Sequence, residues 1–211
     1  YNDNLTKGRA MELWLATGNK GKLEEYKLTL SKHPEIKVHS QADLPYFTPK
    51  PEDGATFLDN ARIKARSVKA LKPDAYVLGE DTGLEVEALN QLPGIHTARY
   101  AGPNARDSEN VAKLLKMMQI RAGSNRKAQF RCVTVVLTPQ NEEWVFEGCL
   151  KGEITTKLAG LTGFGYDPVF RPDGETKTLA ELGPSYKIAK SHRAQALSQF
   201  LAKLSDSVNL S

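Results

Sequence analysis

The pattern that most limits how this chain can fold is the alternation of short apolar runs with amphipathic helical stretches through its first half. Leu13–Thr17 is apolar, of strand length, and bounded by Gly18. From Gly21 to about Leu30, Leu23, Tyr26 and Leu30 recur at helical spacing. Thr56-Phe57-Leu58-Asp59 is a capping box with Asp in place of the usual Glu. Behind it Leu58, Ala61, Ala65 and Val68 form one apolar stripe to about Ala70. Tyr76–Gly79 is a second buried strand, ending at a pair of carboxylates, and Leu84–Ala88 continues in extended form. Strand, helix, helix and strand in this order predict an α/β protein.

The second half adds a hairpin. Asp107 or Ser108 caps a helix reaching Met118, and Gly123-Ser124-Asn125 breaks the chain. Phe130–Leu137 and Glu143–Cys149 read as strands joined through Thr138–Glu142. Lys32–Pro51 reads as a loop with one short strand at Ile36–His39, and Thr178–Leu182 as one helical turn. Ile188 to about Leu204 is a closing helix that begins at Lys187. A late hairpin added to early strand–helix units predicts a mixed sheet. The 211 residues suffice for one large domain or two small lobes. Tyr1–Ala10 is polar and aperiodic and is read as a vector remnant or upstream extension, leaving 11–211 as a single domain.

Composition removes several function classes. Hydrophobic residues at 40% and charged residues at 26% are ordinary globular values. No apolar run approaches the roughly 20 residues that span a bilayer. The net charge of +4 is small and scattered, with no basic stripe interleaved with aromatics, so nucleic acid is not an expected partner. The two cysteines, Cys132 and Cys149, fit no metal or redox spacing and read as buried reduced thiols in a cytoplasmic protein.

Four segments carry the chemistry. In Thr17-Gly18-Asn19-Lys20-Gly21-Lys22 a strand turns through glycines into a helix, presenting free amides, the positive helix end and two lysines to a phosphate. It lacks Walker A spacing, and a plain βα turn with surface lysines would look the same. In Glu80-Asp81-Thr82-Gly83 adjacent carboxylates alternate faces, so only one need point into a site. A carboxylate there can hold Mg²⁺ or serve as base for a water, with Glu52 as a candidate second ligand. The alternative is a turn in which Asp and Gly play their usual parts. In Gly163-Phe164-Gly165-Tyr166-Asp167-Pro168 the flanking glycines let Phe164 approach a flat ring, and Asp167 can accept from a ring N–H. A Gly/Pro turn with two core aromatics is the competing reading. Lys187, His192 and Arg193 offer donors to phosphate or to a keto oxygen, or else a solvated basic helix face.

Taken together, these segments resemble the inosine triphosphate pyrophosphatase family, also called dITP/XTP pyrophosphatases. The resemblance also includes Glu52–Arg66 and Pro93–Tyr100, and runs from about Met11 to about Phe200. It implies a two-lobed α/β fold around a long mixed sheet, with the substrate in the cleft between the lobes, usually as a homodimer. It implies Mg²⁺-dependent cleavage of non-standard purine triphosphates (ITP, dITP, XTP) to the monophosphate and pyrophosphate, cleansing the nucleotide pool. Carried over, Thr17, Gly18, Asn19, Lys20, Gly21 and Lys22 bind the triphosphate, while Glu52 and Asp81 hold Mg²⁺. Asp81 is also the base, and Thr82 contacts substrate. Phe164 stacks on the purine within the Gly165-Tyr166-Asp167 turn. Asp167, His192 and Arg193 read the purine edge, and Lys187 reaches phosphate. Competing expectations are a Maf-like pyrophosphatase acting on other modified nucleotides, pyrimidines included, and a nucleotide-binding module without activity.

Overall fold

The computed structural model describes residues 10–209, so the segment read as a remnant or extension lies outside the described residues, apart from Ala10. In chain order the elements are β1 (Met11–Leu15), α1 (Lys20–Leu30), β2 (Ile36–Ser40), α2 (Phe57–Lys69), β3 (Tyr76–Val86) and β4 (Leu92–Pro93). There follow α3 (Asp107–Arg121), β5 (Lys127–Leu137), β6 (Glu143–Ile154), β7 (Phe170–Pro172), α4 (Leu179–Leu182), α5 (Pro184–Lys190) and α6 (His192–Asn209).

The strands form one mixed sheet in the order β2-β1-β3-β5-β6-β7, with β4 pairing to β3. β2, β1 and β3 are parallel. β5, β6 and β7 join antiparallel. Side chains of successive strand residues alternate faces. Leu13, Leu15 and Leu78 therefore pack against Tyr26 of α1 and Leu197 and Phe200 of α6. Trp14, Ala16 and Val77 pack on the other face against Ala61, Ala65 and Val68 of α2. Farther along β3, Leu84 and Val86 belong to a separate cluster with Val111, Leu114 and Met118 of α3 and with Phe130 and Phe170. A two-part interior on an α/β sheet is the expected architecture. The join is where β1 stops: Leu15 pairs with Leu78, Ala16 donates its amide to the Leu78 carbonyl at 2.8 Å, and that edge of β3 is next paired by β4 at Glu85 and Val86.

The structure corrects several element boundaries. The expected break between Gly79 and Leu84 does not exist: β3 is one strand, paired with β5 without interruption from Val77↔Leu137 to Val86↔Ala128. Glu80 and Asp81 thus lie mid-strand, not at a strand end. A Cβ on Gly79 would sit 2.5 Å from the Ala61 carbonyl oxygen and 2.6 Å from the Ala65 nitrogen, so α2 rests directly on the β3 backbone there. The hairpin strands are longer than the sequence predicts, because pairing continues to Lys127↔Glu153. α3 starts at Asp107, capped by Arg106, whose amide donates to Glu109 at 2.7 Å. The closing helix is two helices. Ser191 is extended (φ −66°, ψ 163°), and its hydroxyl accepts from the Ala194 amide at 3.1 Å. Lys187 therefore belongs to α5, while His192 and Arg193 form the first turn of α6. Cys132 is buried but Cys149 only partly so, and both are free thiols. Among the described residues no helix is long and apolar enough to cross a membrane.

Candidate active site

A cleft of about 370 Å³ opens where β1 ends, between the two parts of the interior. It gathers residues far apart in sequence: Thr17, Gly18, Asn19 and Lys22; Glu52 and Lys64; Asp81 and Thr82; Phe164 to Asp167; Lys187, His192 and Arg193. Two members of the predicted set are not among its lining residues. Lys20 is exposed to solvent, and Gly21 packs beneath Phe164, whose ring would lie only 2.3 Å from a Cβ at that position.

The two central carboxylates face opposite ways, as mid-strand neighbours must. Glu80 points toward α1 and α6. It accepts from Arg193 Nε at 2.9 Å and Nη2 at 2.8 Å, from Thr82 Oγ1 at 3.0 Å, and from the Tyr26 hydroxyl, and it pairs with Lys22 Nζ at 2.9 Å. Burial alone would raise its carboxyl pKa, but Arg193 and Lys22 hold it well below the usual range. Asp81 points toward α2. Its Oδ2 accepts from Asn60 Nδ2 at 3.0 Å, and its Oδ1 from the Thr82 amide at 3.1 Å and from Lys64 Nζ at 3.4 Å.

The β1–α1 loop organises its own amides first. Asn19 caps α1 by accepting from the Lys22 amide at 3.0 Å, and the Thr17 hydroxyl accepts from the Asn19 amide at 3.1 Å. The first amides of a helix have no intrahelical acceptor, so those of Lys20 and Gly21 stay available to an anion. The Phe164 turn is pinned from several sides. The Phe164 amide donates to Asp167 Oδ2 at 3.0 Å, the Gly165 amide to Asp107 Oδ2 at 2.7 Å, and the Tyr166 hydroxyl to the Thr97 carbonyl at 2.8 Å. Tyr166 is buried in the α3 cluster. Lys187, 5% exposed, sits 2.7 Å from Asp167 Oδ2 and 4.3 Å from the Phe164 ring centre, and also pairs with Glu25. Burial raises the Asp167 pKa, an effect the Lys187 ammonium partly offsets.

His192 stacks on Phe130 at 4.9 Å and 13°. It is buried, and its Nδ1 has no hydrogen-bond partner among the described residues. Burial and then the adjacent Arg193 push its pKa well below 6.5, so the ring is neutral at pH 7. Arg193 is gripped by carboxylates: Nε and Nη2 go to Glu80 and one Nη1 hydrogen goes to Glu25. Its planar fork is thus directed at Glu80 and not at an incoming ring. Of the five N–H donors, few remain for a ligand.

The donor set fits a hard divalent ion. Lys64 Nζ already occupies a point 2.8 Å from Glu52 Oε2, 3.4 Å from Asp81 Oδ1 and 3.1 Å from the Glu80 carbonyl oxygen. Three oxygens thus converge on one positive charge. No group of three or more His, Cys, Asp or Glu side chains among the described residues is placed to hold a metal. Two carboxylates with substrate phosphates and water suit Mg²⁺, which rarely takes an all-protein cage.

Asn60, Lys64, Glu25 and Tyr26 had no role assigned from sequence. Asn60 is fully buried, accepts from the Gly54 amide at 2.9 Å and steers Asp81. Asn60 and Lys64 are four apart on α2 and so share a face, a spacing that pairs them once Asp81 is the suspected centre. Glu25, from α1, links Lys187 to Arg193.

The sequence model of the Ham1 family matches residues 13–203. A dITP/XTP pyrophosphatase of Bdellovibrio bacteriovorus is 64% identical over 194 residues, covering 92% of this chain and 98% of the relative. One from Halalkalibacterium halodurans is 42% identical over 190 residues, covering 90% and 97%. Among solved structures, a HAM1 protein from Coxiella burnetii superposes with a TM-score of 0.82 at 38% identity, covering 93% of this chain and 99% of that one. The Staphylococcus aureus Ham1 protein gives 0.80 at 39%, with the same coverage.

Proposed function

The chain belongs to the Ham1 family, and from that premise we propose that it hydrolyses non-standard purine nucleoside triphosphates (ITP, dITP, XTP) to the monophosphate and pyrophosphate. The observation that carries this reading is the convergence, in one cleft, of an open helix N-terminus, two carboxylates meeting at one cation, and an aromatic ring braced from below. Relatives bearing the name dITP/XTP pyrophosphatase support it.

In this reading the triphosphate lies along the Thr17–Lys22 loop, against the free amides and Lys22. Lys187 lies within reach of the phosphates. Glu52 and Asp81 hold Mg²⁺, which when bound neutralises phosphate charge and helps orient the reacting groups. Asn60 holds Asp81 Oδ2 and the Thr82 amide holds Oδ1, which orients the carboxylate that takes a proton from the attacking water. The water oxygen forms a bond to the α-phosphorus, the α–β anhydride bond breaks, and pyrophosphate departs. Phosphoryl transfer asks chiefly for positioning and charge neutralisation, which these residues supply.

The base lies on Phe164, with Thr82, His192 and the remaining Arg193 N–H at its edge. Neutral His192 donates one hydrogen bond to the 6-keto oxygen. A 6-amino group would face donors and leave them unpaired, which discriminates by on the order of 10⁴-fold. Asp167 acts through Lys187 and the Phe164 amide, and holds the turn that presents the ring. The homodimer and the cleansing of the nucleotide pool come with the same reading, as does residue 11–211 forming one two-lobed catalytic unit.

The test is pyrophosphate release with Mg²⁺ across ITP, XTP, dITP, GTP, ATP and dUTP. Fast release from ITP and XTP with far slower release from ATP and GTP is the expected result. Preference for a modified pyrimidine would overturn the purine assignment in favour of the Maf-like alternative.

A further inference from the structure

Lys64 occupies the position that a divalent cation needs. Its ammonium touches oxygens of both proposed metal ligands, Glu52 at 2.8 Å and Asp81 at 3.4 Å, and the Glu80 carbonyl oxygen at 3.1 Å. The side chain is only 18% exposed, so solvent screens it weakly. It enters from α2, which Gly79 allows to rest on the β3 backbone. Asn60, one helical turn before it, fixes the other Asp81 oxygen at 3.0 Å. The two carboxylates are therefore half neutralised by one ammonium, and held, before any metal arrives.

An ammonium and a divalent ion cannot share these two carboxylates. At separations of about 4 Å like charges repel strongly in a partly buried site. A bare ion must displace Lys64 from both carboxylates. A triphosphate changes that balance, because its oxygens offer the displaced ammonium new partners in the same cleft.

Resting on the reading above, we propose that Lys64 is a positioning residue that guards the metal site: it keeps free divalent cations off Glu52 and Asp81 and couples metal binding to the arrival of the triphosphate. In the nucleotide-free protein the carboxylates belong to Lys64. In the substrate complex they belong to the metal, and Lys64 turns to phosphate. The coupling limits futile loading of the nucleotide-free protein with the wrong ion.

The test is Mn²⁺ binding to nucleotide-free protein, followed by the electron paramagnetic resonance signal of free Mn²⁺. Wild type, Lys64→Met, Lys64→Arg and the double variant Lys64→Met with Glu52→Gln are compared. Lys64→Met should tighten the dissociation constant by about tenfold or more. Lys64→Arg, which keeps the charge, should remain weak, and the double variant should lose the gain. With α,β-methylene inosine triphosphate present, the gap between wild type and Lys64→Met should narrow. Equal Mn²⁺ affinity in wild type and Lys64→Met overturns the proposal, as does a gain that survives Glu52→Gln or a gap that nucleotide leaves undiminished. Should Lys64→Met fail to fold, judged by its circular dichroism, Lys64→Gln replaces it. These outcomes are separate from the substrate panel: turnover of ITP by wild type with no metal-affinity difference removes the guard alone, and absence of turnover removes the functional reading.

Discussion

Replacing Gly21 with alanine separates the base platform from the phosphate cradle. The added Cβ would lie 2.3 Å from Phe164 Cδ1, 2.6 Å from Cε1 and 2.7 Å from Cγ, where ordinary contact begins at 3.4 Å. The ring must withdraw by about 1 Å to restore normal van der Waals separation. Overpacking a rigid core costs about 1–3 kcal/mol. Here the obstructing group is the ring of a partly buried side chain at the edge of the cleft, with room to swing toward the cleft, which lowers that cost. Alanine in a helix returns about 0.5–1 kcal/mol relative to glycine. The two effects nearly cancel, so the Tm should move by no more than about 2–4 °C. Catalysis has no such compensation, since a misplacement of about 1 Å can cost up to 100-fold. The expected result is a fall in kcat/KM for ITP of about 10- to 100-fold. Inhibition by inorganic tripolyphosphate should be unchanged within about twofold, because the Gly21 amide survives the substitution. The assay is steady-state pyrophosphate release, with tripolyphosphate as competitor. Unchanged kcat/KM would refute the claim that Phe164 is the base platform. A parallel loss of tripolyphosphate binding would place the damage in the phosphate cradle.

Three other outcomes follow from the same geometry. Asp81→Asn should abolish ITP turnover while triphosphate binding, measured by calorimetry, remains detectable; retained turnover would remove Asp81 as the base. Arg193→Met leaves Glu80, 1% exposed, without its main partner. Breaking such a buried pair costs about 3–5 kcal/mol, so the Tm should fall by on the order of 10 °C, and a further Glu80→Gln change should recover part of it. The pKa of His192 is depressed in the folded protein, so the unfolded chain binds more protons below pH 6.5 and stability falls as pH drops below that value. Glu80, also depressed, adds a second loss below pH 4.5. Thermal melts from pH 8 to 4 should show both, and His192→Phe should remove the upper one.

Much of this was legible in the chain. The β1–loop–α1 unit, the Thr56–Asp59 box and the β5–β6 hairpin are local features, with turn residues and periodicity agreeing in each. In the Thr56–Asp59 box the Thr56 hydroxyl accepts from the Asp59 amide at 3.1 Å. β3 was not legible as one strand, because Glu80-Asp81-Thr82-Gly83 has the composition of a turn. What keeps it extended is unbroken pairing to β5 and partners for both carboxylates, and these come from α1, α2 and α6. Arg193 was read as a free fork because its acceptors, Glu80 and Glu25, lie 113 and 168 residues away. The break at Ser191 was hidden by helical periodicity on both sides; only the serine hydroxyl, capping Ala194, marks it.

The most direct test of the central claim is to run ITP hydrolysis in H₂¹⁸O and locate the label by ³¹P NMR. Attack on the α-phosphorus predicts ¹⁸O in inosine monophosphate and unlabelled pyrophosphate. Labelled orthophosphate appearing with inosine diphosphate would contradict it.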